Sequence, residues 1–125
     1  STLASVALVR ATGPRTVLVT SVQRPERNTD TDTIEMLAVD DSGAWIVKTP
    51  RIPLKANGSG DVTAALFTAH YRRTGDLADA LARTTSSVFD LLTRTHESGE
   101  RELQLVESQE AYANPRMQFE VQQVR

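Results

Sequence analysis

Cysteine is absent from the 125 residues, which excludes a disulfide framework, a thiol nucleophile and any Cys-ligated zinc or iron–sulfur centre. An excess of charge of either sign is absent too: the formal net charge is -2 at pH 7 and the pI is near 5.6. No general field then draws nucleic acid or an anionic membrane, so an anionic ligand has to be held by a local site. Long apolar runs are also missing. The stretch at 16–22 is far too short to span a bilayer, and no secretory leader reads from the first residues, so a soluble, cytoplasmic chain with no nucleic-acid or membrane partner is expected. The two histidines, His70 and His96, have no spacing that suits a metal site and read as surface or packing residues. What is present, 39% hydrophobic and 24% charged residues, is ordinary for one globular domain with a real core. Function is to be sought in a local constellation.

The hydrophobic pattern alternates between periods. Residues 2–11 place Leu3, Val6 and Ala7 on one helical face; Gly13 and Pro14 break it, and 16–21 (TVLVTS) reads as a buried strand. Residues 23–32 are polar, carry Pro25 and read as an exposed loop. Two strands follow at 33–39 and 44–49, with Asp40-Asp41-Ser42-Gly43 as turn chemistry between them, which predicts an antiparallel hairpin with Trp45 filling the core beside it. Pro50 and Pro53 end the second strand. After Asn57 the period becomes helical: Val62, Ala65, Leu66 and Ala69 fall at i, i+3, i+4 and i+7, predicting the face that packs on a sheet. Thr74-Gly75-Asp76 closes that helix and caps the next, whose stripe of Leu77, Ala80, Leu81, Val88, Leu91 and Leu92 runs to Ser98-Gly99. In the tail, 102–106 suits a short extended piece, 108–113 a helix, Asn114-Pro115 a break and 118–124 a strand. Mixed strands and helices predict an α/β layered architecture. An amphipathic opening helix with nothing before it to cover, and a sheet this small with an exposed edge, lead us to expect part of a larger domain.

The most informative stretch is Gly58-Ser59-Gly60-Asp61. Two glycines let the backbone turn tightly and approach a ligand closely, while the helix that follows aims free N–H groups outward. Such an N-terminus suits a phosphate, and donors already in place can stabilise the charge that develops on a transferring phosphoryl group. Asp61 falls in the first helical turn, where the macrodipole favours negative charge. Within reach of a substrate hydroxyl its carboxylate can act as general base. The plainer reading is a loop with an N-cap. Context favours the chemical reading: the loop follows a strand pair and opens a helix whose small residues, Thr63, Ala64 and Ala65, allow close approach to a ligand.

These residues resemble the C-terminal half of a ribokinase-like kinase, in which a Gly-x-Gly-Asp signature forms an anion hole and its aspartate is the catalytic base. Val19-Thr20-Ser21, Glu35-Met36-Leu37, the block GSGDVTAALF at 58–67 and the tail ELQLVESQEAYANP at 102–115 are similar to the pyridoxal kinase branch in particular, and the tail separates it from ribokinases, adenosine kinases and hydroxymethylpyrimidine kinases. The resemblance runs from about Leu3 to the end. It implies a ribokinase-like three-layer αβα sandwich of which residues 1–125 are the C-terminal nucleotide-binding and catalytic part, the N-terminal part being absent. It implies ATP and Mg2+, pyridoxal as acceptor, phosphorylated on its 5′-hydroxymethyl group, and a homodimer. By the same resemblance Asp61 is the base that meets the substrate. Gly58, Ser59, Gly60 and Asp61 form the anion hole, and Thr20, Ser21, Thr49, Pro50, Arg51 and Ile52 lie on the nucleotide. The acidic residues that organise magnesium belong to the absent part, so no metal ligand is expected among these residues. The alternatives are another acceptor (a sugar, a nucleoside or a hydroxymethylpyrimidine) on the same fold, or a noncatalytic structural or dimerisation module. Arg51, Arg72, Arg73 and the loop carboxylates Asp30, Asp32, Asp40 and Asp41 read most simply as solvated or turn residues.

Overall fold

A computed structural model describes residues 2–22, 33–50, 59–99 and 118–125. In chain order these form α1 (Thr2–Ala11), β1 (Val17–Val22), β2 (Thr33–Asp40), β3 (Gly43–Pro50), α2 (Ser59–Thr74), α3 (Leu77–Ser98) and β4 (Gln122–Gln123). The strands make one sheet in the order β1-β2-β3-β4, and each described pair is antiparallel. The β2–β3 ladder runs unbroken from Thr33↔Pro50 to Asp40↔Gly43, so the expected hairpin forms with the expected turn. The segments expected at 23–32, 102–106, 108–113 and 114–115 lie outside the described residues.

The strand sequences are apolar nearly throughout because both faces of the sheet are covered. With a side-chain period of two, Val17, Val19, Leu37, Val39, Ala44 and Ile46 point to one face and pack with Leu3 and Val6 of α1. Leu18, Met36, Ala38, Trp45 and Val47 point to the other and pack with Phe67, Leu77, Ala80 and Leu81 of α2 and α3. Helices on both sides of one sheet give the three-layer αβα arrangement. The face expected for α1 is only partly right, since Leu3 and Val6 pack inward but Ala7 is exposed. Gly43 needs to be glycine: its φ is 149°, and a Cβ there would stand 2.4 Å from the Arg125 carbonyl oxygen. That carbonyl accepts from the Ala44 amide at 3.1 Å, which tacks the chain's last residues onto β3.

The seat of α2 differs from the helical face predicted for it. Its buried residues are Thr63 and Phe67, whereas Ala65 and Ala69 are exposed and Val62 and Leu66 half-buried. Alanines offer little area, so the aromatic rings decide which way the helix turns. Phe67 enters the core, and Tyr71 stacks on it with ring centroids 5.9 Å apart. Gly75 ends α2 in the left-handed region at φ 68°, its amide donating to the Tyr71 carbonyl at 2.7 Å. Asp76 caps α3, its carboxylate accepting from the Asp79 amide at 3.1 Å. The predicted stripe of α3 is buried at Leu77, Ala80, Leu81, Val88 and Leu91, with Leu92 half-buried. Phe119 meets α3 edge-on at Phe89, with centroids 4.9 Å apart, and donates its amide to Ser86 Oγ at 3.1 Å.

His70 faces the α2–α3 contact. Its Nε2 is buried with no hydrogen-bond partner among the described residues. Burial, then the Arg73 and Arg83 guanidinium groups, hold its pKa below the ordinary 6.5 against the opposing pull of Asp79. The unfolded chain therefore takes up this proton first, and stability falls as pH drops from about 6.5. Urea midpoints at pH 7.5 and 5.5 should fall further for the parent than for His70→Gln; equal losses would contradict this linkage.

Candidate active site

The register fixes which ends of the elements meet. Val17 pairs with Val39, so Asp40 lies at the start of β1, beside Thr16. Tyr71 Oη donates to Asp40 Oδ2 at 2.8 Å, which brings the C-terminal part of α2 to that same end. The N-terminus of α2, about 15 Å away along the helix, then lies towards the end of β1 where Thr20 stands. An open groove of about 430 Å3 runs between the two elements, lined on the strand by Thr16, Leu18 and Thr20 and on the helix from Gly60 and Thr63 to Tyr71 and Arg72. Thr20 and Gly60, far apart in sequence, thus border one cavity.

The local sequence explains why that end is open. The first N–H groups of a helix have no intrahelical acceptor, and here they belong to Ser59, Gly60 and Asp61. Gly60 and Asp61 are exposed. A Cβ built on Gly60 would meet nothing within 4 Å, so packing within the described residues does not require glycine there. Thr63, 5% exposed, turns its hydroxyl back to the Ser59 carbonyl at 2.7 Å and holds the first turn. On the strand side, β1 carries one residue more than β2 between Val19↔Leu37 and Val22↔Glu35. This bulge falls at Thr20 and Ser21; a bulge leaves a residue out of the ladder and re-aims the chain, as often happens next to functional sites.

The remaining candidates are placed less uniformly. Thr49 lies near the end of β3, on the sheet face that α2 and α3 cover by the alternation of Trp45 and Val47, but it is 7% exposed. Pro50 ends β3 and is exposed. The backbone of Ser21 belongs to β1. Gly58, Arg51 and Ile52 lie outside the described residues. Sequence reasoning missed Thr16, Thr68 and Tyr71 as groove residues and Thr63 as the brace of the first turn. The only available signals were the i, i+4 spacing of Ser59 and Thr63 and the strand period of Thr16, Leu18 and Thr20.

A sheet covered on both faces, with a glycine-bearing helix N-terminus beside a strand bulge, agrees with the ribokinase-like arrangement that the sequence resemblance implies, and likeness to solved kinases of that fold bears it out. No protein-family model matches it. Among curated proteins it is 73% identical over 124 residues to pyridoxal kinase PdxY of Leifsonia xyli, an alignment covering 99% of this chain and 43% of that protein. It is 61% identical to pyridoxal kinase PdxY of Corynebacterium diphtheriae, with the same coverage of each. By sequence the chain is therefore a homologue of the pyridoxal kinases, spanning less than half of their length. Among solved structures, pyridoxal kinase from Leishmania donovani in complex with ADP superposes with a TM-score of 0.84 at 18% identity, over 98% of this chain and 44% of that one. At that identity the likeness establishes the fold alone.

Because the space over Gly60 is empty, Gly60→Ala should leave the melting temperature of this chain unchanged or raise it, by up to about 1 kcal/mol of stability for alanine over glycine in a helix. A clear loss of stability on thermal unfolding would show that the glycine serves internal packing.

Proposed function

We propose that this chain is the nucleotide-binding and catalytic C-terminal part of an ATP-dependent kinase that converts pyridoxal to pyridoxal 5′-phosphate. The observation that carries the reading is the N-terminus of α2, where Gly60 lines the same groove as Thr20 and the exposed Asp61 follows it in the first helical turn. The Asp61 carboxylate takes the proton of the 5′-hydroxymethyl group as its oxygen bonds to the γ-phosphorus of ATP and the bond to the β-phosphate oxygen breaks, releasing ADP. The first-turn amides, with that of Gly58, stabilise the charge on the transferring phosphoryl oxygens. Thr20 and Ser21 meet the nucleotide phosphates, and Thr49, Pro50, Arg51 and Ile52 lie towards the ribose and adenine.

The choice of pyridoxal over a sugar, a nucleoside or a hydroxymethylpyrimidine rests on the 73% and 61% identities to pyridoxal kinases. ATP use is supported by the ADP complex of the Leishmania donovani neighbour. Magnesium, when bound, supplies charge neutralisation at the β- and γ-phosphate oxygens. Among the described residues there is no group of three or more His, Cys, Asp or Glu that could hold a metal ion, and we propose that the carboxylates which organise magnesium come from the longer polypeptide. We further propose a cytoplasmic homodimer, with the rest of the acceptor pocket supplied by the longer polypeptide. Among the described residues no helix is long and apolar enough to cross a membrane.

In the longer kinase, Asp61→Asn should lower kcat by about 100- to 10,000-fold, the range of general-base contributions, while ATP binding, measured by calorimetry, changes little. Near-normal turnover would remove Asp61 from the role of base. The 125 residues alone should turn over no pyridoxal in the same assay.

A further inference from the structure

The Tyr71–Asp40 hydrogen bond ties α2 to the sheet at the end opposite Gly60 and Asp61. Asp40, 9% exposed, closes β2. Its Oδ1 accepts from the Ser42 amide at 2.7 Å and from the Ser42 hydroxyl, leaving Oδ2 for Tyr71 Oη at 2.8 Å. The neighbouring Asp41 is ion-paired with Arg10 of α1. This turn is therefore gripped from both helix layers and forms a firm post at one end of the sheet. Burial works to raise the Asp40 pKa, but the bonds from the Ser42 hydroxyl, Tyr71 and the Ser42 and Gly43 amides outweigh it and hold the carboxyl below its ordinary 3.8.

Elsewhere α2 packs along α3 and meets the sheet through few side chains. Thr63 and Phe67 are its buried residues, Ala64, Ala65, Thr68 and Ala69 are exposed, and one flank borders the open groove. On the sheet side α2 is seated mainly by Phe67, with Thr63 buried nearer its start. A bond at Tyr71, one turn past Phe67, therefore bears on the tilt of the helix, and a change of tilt would move the first turn, about two turns away, relative to Thr20. From this geometry we infer that Tyr71 is a positioning residue: through Asp40 it fixes the tilt of α2 and so the placement of Gly60 and Asp61 against the reacting groups. The inference rests on the proposed kinase reading and deepens it, because a misplacement on the order of 1 Å at a reacting centre costs rate, and a group acting only in the transition state lowers kcat without raising KM.

The test uses the longer kinase with Tyr71→Phe, Asp40→Asn, the double variant and Asp61→Asn in parallel, each checked for folded fraction by circular dichroism. Tyr71→Phe keeps the ring that stacks on Phe67 and loses only the hydroxyl. It should lower kcat about 3- to 10-fold with the KM for ATP within about twofold, an effect of misplacement. Asp40→Asn should give a similar loss, and the double variant should be no slower than the worse single one, as expected of two groups acting through one bond. A parental kcat for Tyr71→Phe would overturn the inference, as would losses that multiply in the double variant or a fall in melting temperature with kcat per folded molecule unchanged. Near-normal turnover of Asp61→Asn would instead sink the kinase-base reading itself. If Asp61→Asn is inactive while Tyr71→Phe turns over at the parental rate, the positioning role alone fails.

Discussion

Phe67 buries its ring among Ala38, Val47 and Leu81, and this contact settles how α2 lies across the sheet. Val62, Leu66 and Tyr71 of the same helix are only half-buried, so Phe67 is its largest buried apolar side chain among the described residues. Tyr71 stacks on Phe67 and bonds to Asp40, adding direction to what would otherwise be a greasy, rotatable contact. Everything the site can do follows from that seat. It carries the first turn of the helix, with Gly60, to the groove bordered by the bulged part of β1.

The sheet supplies a rigid floor for this arrangement because it is covered on both faces. Val39 and Val47, both fully buried on opposite faces, leave no room for the strands to slide, since a one-residue slip would exchange the faces. Asp40, Asp41, Ser42 and Gly43 then finish one end of the floor. Asp40 bonds Tyr71, Asp41 pairs with Arg10, Ser42 closes the turn and Gly43 makes way for Arg125. Loop chemistry that looks generic in the sequence is, in the fold, the joint between three layers.

Much of this was legible from residue patterns, for identifiable reasons. The hairpin announced itself through four turn residues between two apolar runs, and the α2–α3 junction through Gly75 and Asp76, whose left-handed backbone and capping carboxylate are local properties. The face of α2 was misread because a count of apolar positions gives Ala65 and Ala69 the weight of Phe67, whereas buried area does not. The Tyr71–Asp40 bond could not be read, because it joins residues 31 apart in sequence through a register that only the folded sheet defines. The β1 bulge has no marker such as glycine, since Thr20 and Ser21 look like ordinary strand residues. Of the proposed site, Asp61, Gly60 and Thr20 were legible through the glycine motif and the family resemblance. The braces behind them, Thr63 and Tyr71, were not.

The proposed chemistry requires that the first turn of α2 and the bulge of β1 form one phosphate-holding end of the groove. Backbone amide chemical shifts of the longer kinase, followed while Mg-ADP is titrated, test this most directly. The largest movements are expected at Ser59, Gly60 and Asp61, with Thr20 and Ser21 moving on the same binding curve. Saturable binding of the nucleotide with these five amides unmoved, and shifts clustered elsewhere, would contradict it.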